Sequence, residues 1–191
     1  LDSLELAARC FREPDIASPK VAKVCLDATP TFAMHWLIPR LAGFRWQHPE
    51  IEVRLTTSQG VIVDTPDIDL HIRRDPRHFG ALSGEAFMDE YAVPVCRPMA
   101  GGLPGLPLIR MRSRPDLWPK WLAERSLPAA QAAYLEFDNT ILAIQAACEG
   151  LGIALVPVLF VGELLRNGAL GVLPGASPLR SGSYHLLRRQ R

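Results

Sequence analysis

Residues 21–58 read VAKVCLDATPTFAMHWLIPRLAGFRWQHPEIEVRLTTS, and they decide how the rest of the chain is understood. Val21, Val24, Cys25 and Leu26 make a short apolar strand that ends at Ala28. Thr29 is a good N-cap, and Pro30 at the first helical position lacks only an N–H that would be orphaned there anyway. Leu37, Leu41 and Phe44 then fall on one face of a helix. His48-Pro49 ends it, because a residue before proline is pushed out of the α region. Ile51, Val53, Leu55 and Thr57 alternate with Glu52, Arg54, Thr56 and Ser58, a strand with one apolar and one polar face. Where the first strand meets the helix, free backbone N–H groups and the hydroxyls of Thr29 and Thr31 come together. Such a helix start accepts a carboxylate or phosphate.

Working outward, the 191 residues suffice for one large domain or two small ones, with 48% hydrophobic and 21% charged residues, an ordinary globular balance. The formal charge of +1 argues against a dedicated nucleic-acid surface, and only Arg188, Arg189 and Arg191 cluster. Cys10, Cys25, Cys96 and Cys148 stand far apart without CxxC spacing. Cys25, Cys96 and Cys148 sit in apolar runs and read as small buried hydrophobes, and neither a zinc site nor a disulfide framework is expected. No apolar run reaches about 18 residues, and the first residues are not a signal peptide, so a cytoplasmic location without a membrane span is expected.

Upstream, residues 1–12 read as a helix, taken as the tail of a longer one, and residues 13–20 as a linker with two prolines. Downstream, 67–74 (DIDLHIRR) is a third strand with Leu70 and Ile72 in the core and Arg73 and Arg74 at its C-terminal end. Residues 85–97 form a strand pair or one long strand, with Pro94 pointing to an edge or crossover. A glycine- and proline-rich loop follows. Then come a strand at 108–110, a helix at 116–125, a strand at 134–137 and a helix capped by Asp138-Asn139-Thr140 and stopped by Gly150. A buried strand at 152–156, a helix at 160–170 and strands at 170–173 and 183–188 close the chain, whose C-terminus is expected to be incomplete. Asp138-Asn139-Thr140 repeats the strand, polar cap, helix order of Thr29-Pro30-Thr31. The pattern predicts two α/β lobes with a cleft between them, and ligands in open α/β sheets bind beyond the carboxyl ends of strands. Thr29, Ser58 and Arg73 all hold such positions.

No catalytic constellation emerges. His35, His48, His71, His78 and His185 show no HExxH or HxH spacing, and there is no GxSxG, P-loop or GxGxxG. Gly101-Gly102 belongs to a loop, and Asp67, Asp69 and Asp75 lack the spacing of a calcium loop. What remains is a binding module for a small polar, anionic molecule, with no metal and no cofactor expected.

Four segments in order, TPTFAMHWLIPRLAGFRWQHPEIEVRL (29–55), DIDLHIRR (67–74), VPVCRP (93–98) and FDNTILAIQAACEGLGIALVP (137–157), resemble the effector-binding domain of LysR-type transcriptional regulators. They are most similar to the branch containing the glycine-cleavage activator and the β-lactamase regulator. The resemblance covers about Val21 to Arg189. It implies a fold like the type II periplasmic binding proteins, with two Rossmann-like subdomains. Residues 1–17 would be the end of a linker helix and its linker, 18–92 plus 159–191 the first subdomain, and 93–158 the second. A winged helix-turn-helix domain that contacts promoter DNA would precede them and is absent from this sequence. The resemblance further implies a homodimer through the helix after Thr29 and the strand Ile51–Ser58, and a tetramer at full length. Thr65-Pro66-Asp67 departs from a usual glycine-ended helical turn, His71 replaces a small apolar residue, and the redox-sensing cysteine pair of peroxide-responsive relatives has no counterpart.

The expected function is therefore effector binding by a regulator, with Thr29, Pro30, Thr31, Ser58, Arg73, Asp138, Asn139 and Thr140 lining the inducer. The alternative is a periplasmic-type solute-binding protein for a small organic or amino acid. An enzyme using His71 or His185 is a third, weaker reading.

Overall fold

The computed structural model describes residues 22–60, 62, 65–76, 82–98, 105–126 and 133–189. The expected N-terminal helix and linker, Cys10, His78 and the Gly101-Gly102 loop lie outside them. The chain divides into two compact units, residues 1–88 with 183–191 and residues 89–182.

The first unit starts with β1 (Ala22–Ala28) and continues into helix α1, which runs through Pro30–Phe32, Ala33–Leu37 and Ile38–Gln47. Its middle segment is a π-turn, with the Ile38 N–H donating to the Ala33 carbonyl. The wide turn comes immediately before Pro39, whose ring would collide with the His35 carbonyl in a regular α-turn. Strand β2 (Ile51–Thr57) runs parallel to β1, in register from Ala22↔Ile51 to Ala28↔Thr57. Strand β3 (Leu70–Arg74) lies parallel on the other side of β1, and β3 is antiparallel to β9 (Leu179–Arg189). The order is β2-β1-β3-β9, with β2 at the end. Phe32 and Leu37 of α1 and Tyr184 and Leu187 of β9 are buried, and the Phe32 ring lies 4.5 Å from that of Tyr184 and 4.9 Å from that of Trp36. Each such fully buried side chain contributes roughly 1.5–3 kcal/mol.

The third strand begins at Leu70 rather than at residue 67, because Asp69 is used to fasten β1. Its carboxylate accepts the Cys25 N–H at 2.7 Å and its own N–H donates to the Cys25 carbonyl at 2.9 Å.

The second unit is built on β4 (Leu82–Cys96), one long strand that enters it at Asp89. Strands β5 (Leu108–Met111), β6 (Tyr134–Phe137) and β7 (Ile153–Pro157) and helices α2 (Leu117–Ala123), α3 (Thr140–Cys148) and α4 (Val158–Arg166) follow, with the two-residue β8 (Gly171–Val172). β7 is antiparallel to β4 and parallel to β5, which is parallel to β6. β8 pairs with Val95 and Cys96 of β4 opposite β7, so of the two readings of Pro94, edge or crossover, the edge does not hold, while β4 is the strand by which the chain crosses between the units. The Pro94 carbonyl accepts the Leu173 N–H at 2.9 Å. Every residue of β7 is buried, and the Trp118 indole donates to the Ile109 carbonyl at 2.8 Å.

Residues 159–182, expected with the first lobe, fall in the second unit, and the first crossing lies at Met88/Asp89 rather than after residue 92. The reason is local. Helix α4 follows directly from β7, and β8 completes the sheet of the same unit by pairing with Val95 and Cys96.

Candidate functional site

In the first unit the carboxyl ends of β1, β2 and β3 meet in a polar cluster. The register sets Asp27 directly beside His71, and Arg73 lies two residues further along the same strand, on the same face. Asp27, His71 and Arg73 are buried, with 5%, 2% and 5% of their surface exposed. Ser58 follows β2, its N–H donating to the Ala28 carbonyl at 3.1 Å, and it is the exposed member of the group.

A single carboxylate oxygen organises them. Asp27 Oδ2 accepts from the Ser58 hydroxyl at 2.8 Å, from His71 Nδ1 at 3.1 Å and from Arg73 Nη2. An ionised carboxylate only accepts, so Nδ1 of His71 carries the hydrogen. Arg73 Nη1 donates to the Asp27 and Ile72 carbonyls at 3.1 and 2.9 Å, and Nη2 also donates to Ser58 Oγ at 2.5 Å. Burial pushes the Asp27 carboxyl up, but the hydrogen bonds from Ser58, Arg73 and His71, with the charge of Arg73, outweigh it and hold the group below the usual carboxylate range.

Thr29 occupies the N-cap position of α1 with extended backbone, but its hydroxyl makes no cap hydrogen bond; the Thr29 carbonyl accepts the Ala33 N–H at 2.9 Å. Pro30 is half-buried and Thr31 is buried. In the second unit the helix start has its cap at Asn139, whose side chain accepts the Leu142 N–H at 3.1 Å. Asp138 is exposed and lies 3.6 Å from the Arg112 guanidinium, while Thr140 is buried. Thus Thr29, Pro30, Thr31, Ser58 and Arg73 share the first unit, and Asp138, Asn139 and Thr140 the second.

Two members of the cluster, Asp27 and His71, were not among the expected site residues. The signal for Asp27 was an acid inside the apolar run VCLDA, since an aspartate in a buried strand needs a partner. A second buried ion pair was also missed. Glu90 and Arg114, both in the second unit, are joined by both guanidinium Nη nitrogens, and Ser181 Oγ donates to Glu90 at 2.8 Å.

Cys25 and Cys96 are buried as expected and Cys148 partly so, and burial pushes the thiols of Cys96 and Cys148 up. Among the described residues no three His, Cys, Asp or Glu side chains are grouped to hold a metal, and no helix is long and apolar enough to cross a membrane. With hydroxyls, amides and a neutralised ion pair at strand ends, the arrangement suits reversible binding of a polar molecule.

Comparison with known proteins gives a consistent result. The family described as LysR substrate binding domain matches residues 18–191. The HTH-type transcriptional activator AmpR of Pseudomonas aeruginosa is 30% identical over 174 residues, covering 86% of this chain and 58% of that protein. The regulator BlaA of Proteus vulgaris is 29% identical over 170 residues, covering 85% of this chain and 58% of that protein. The chain therefore spans somewhat over half the length of these relatives. Among solved structures, the effector domain of AmpR from Pseudomonas aeruginosa superposes with a TM-score of 0.75 at 29% identity, covering 88% of this chain and 86% of that one. The AmpR effector-binding domain of Citrobacter freundii shares the fold, with a TM-score of 0.73 at 24% identity over 88% of each chain.

Proposed function

This chain belongs to the LysR substrate binding domain family, and from that premise we propose that it is the effector-binding and oligomerisation part of a LysR-type DNA-binding transcriptional regulator. Its effector is a small polar, anionic molecule recognised at the helix start of each unit, by Thr29, Pro30, Thr31 and Ser58 in the first and by Asp138, Asn139 and Thr140 in the second. Backbone N–H groups at the two helix starts meet the negative charge. Arg73 contributes through the cluster it holds. Binding shifts the balance between conformations, and that shift reaches a DNA-binding domain elsewhere in the full-length regulator. The protein works in the cytoplasm, where its promoter is, and is not an enzyme.

The observation that carries this reading is the repetition, once in each unit, of a strand, a polar turn and a helix start, in a chain matched over residues 18–191 by one regulator family. The relatives named above are regulators, which favours this reading over a solute-binding protein. Thermal-shift screening against amino acids, aromatic acids and cell-wall peptides tests it. At least one compound is expected to raise the melting temperature progressively with its concentration, the shift corresponding to about 2.7 kcal/mol of stabilisation at a hundredfold excess over Kd. Thr31→Val should weaken that compound in calorimetry. A saturable binder indifferent to both Thr31→Val and Ser58→Ala would contradict the assignment.

A further inference from the structure

The hydrogen-bond accounting of the Asp27 cluster fixes which chemical groups Ser58 and Arg73 offer to a ligand. An arginine carries five N–H donors. Both Nη1 hydrogens of Arg73 go to main-chain carbonyls, of Asp27 and Ile72, and both Nη2 hydrogens go to Asp27 Oδ2 and Ser58 Oγ. The one donor left, on Nε, is buried. Bidentate capture of a carboxylate or phosphate needs two parallel N–H groups, and Arg73 has none to spare. Asp27 is in effect a resident carboxylate in the place an incoming anion would take.

Ser58 is where the cluster reaches solvent. A hydroxyl has one hydrogen and two lone pairs. Arg73 can only donate, so its 2.5 Å bond to Ser58 Oγ consumes one lone pair, and the single hydrogen points 2.8 Å away to Asp27 Oδ2. One lone pair remains. We propose that Asp27 is a specificity-determining residue: by taking the hydrogen of Ser58 and the donors of Arg73, it makes this strand end accept a hydrogen-bond donor of the effector, an ammonium, amide N–H or hydroxyl, and turn away its carboxylate or phosphate. This rests on the reading above that Ser58 faces the effector. The anionic part of the molecule then belongs at the helix starts, and the donor part at Ser58.

The test is an NMR titration of the whole chain at constant ionic strength, with methylammonium and inorganic phosphate as probes, following the Ser58 amide and the Arg73 guanidinium nitrogens. In the wild type, methylammonium moves Ser58 saturably and phosphate leaves Arg73 where it was. Ser58→Ala removes the methylammonium response. In Asp27→Asn the negative charge is lost and the side-chain amide adds an N–H donor, so the apparent Kd for phosphate falls at least tenfold. A saturable wild-type phosphate response of the Arg73 guanidinium overturns the proposal, as does a Ser58 signal indifferent to methylammonium. Both wild-type measurements stand even where Asp27→Asn does not fold. A panel of candidate effectors that all fail to bind, with the methylammonium response intact, would count against the regulatory reading alone.

Discussion

Asp27 shows at the scale of one residue how a buried charge is kept. Its neighbours in β1 are apolar, so every stabilising partner comes from another strand: Ser58 after β2, and His71 and Arg73 from β3. Because its carboxyl is held below the usual range in the folded chain, it contributes stability that is complete above the aspartate value of the unfolded chain. That stability is lost as pH falls through the lowered folded value. His35, in the π-turn, has its pKa lowered by burial, so its contribution is also complete above the unfolded value and fades on acidification. The two windows separate. Urea midpoints measured from pH 7 to 3 are expected to begin falling near about pH 6 through His35 and to fall further below about pH 4 through Asp27. Asp27→Asn should remove the lower step only; a profile that keeps it would contradict the assignment. Sequence placed Arg73 and Ser58 at strand ends from alternation alone. It could not supply their partner, because the pairing Asp27↔His71 depends on which strands are neighbours and in what register, and a one-residue slip would turn Asp27 to the other face.

At the scale of elements most of the fold was legible. Thr29-Pro30 and His48-Pro49 bracket α1, and the alternation of 51–57 gives β2. The π-turn was not, since apolar periodicity reports which side of a helix is buried and not how wide its turns are. Pro39 was its only trace. Gly152 was read as the start of a buried strand, while its importance lies in a contact distant in sequence. A Cβ at that position would sit 2.4 Å from the Pro107 carbonyl oxygen, beside the 2.9 Å hydrogen bond from the Ile153 N–H to the same oxygen. Backbone cannot yield as a flexible side chain would. Gly152→Ala is therefore expected to cost about 1–3 kcal/mol in urea denaturation. An unchanged midpoint would show that β5 and β7 can separate freely there.

At the scale of the molecule, two α/β units were foreseen but their boundary was not, because β4 and β9 carry the chain across without a break in pattern. The first unit exposes Trp46 to 88% and Ile38 to 53% on α1, next in sequence to β2 at the end of the strand order. We propose that this helix, which leads into the end strand, is where a second copy docks. If a second copy takes it, Trp46→Glu should convert a dimer to a monomer in analytical ultracentrifugation while far-UV circular dichroism stays the same. A dimer that survives would move the interface elsewhere. The double crossing also orders events in time. The second unit, residues 89–182, is contiguous in sequence, whereas the first needs residues 183–189 to complete its sheet. Until they arrive, β3 has β1 on one side and an unfilled edge on the other, and Tyr184 is missing from beneath Phe32. A chain arrested with residues 183–189 still unmade is therefore expected to present β3 with an open edge.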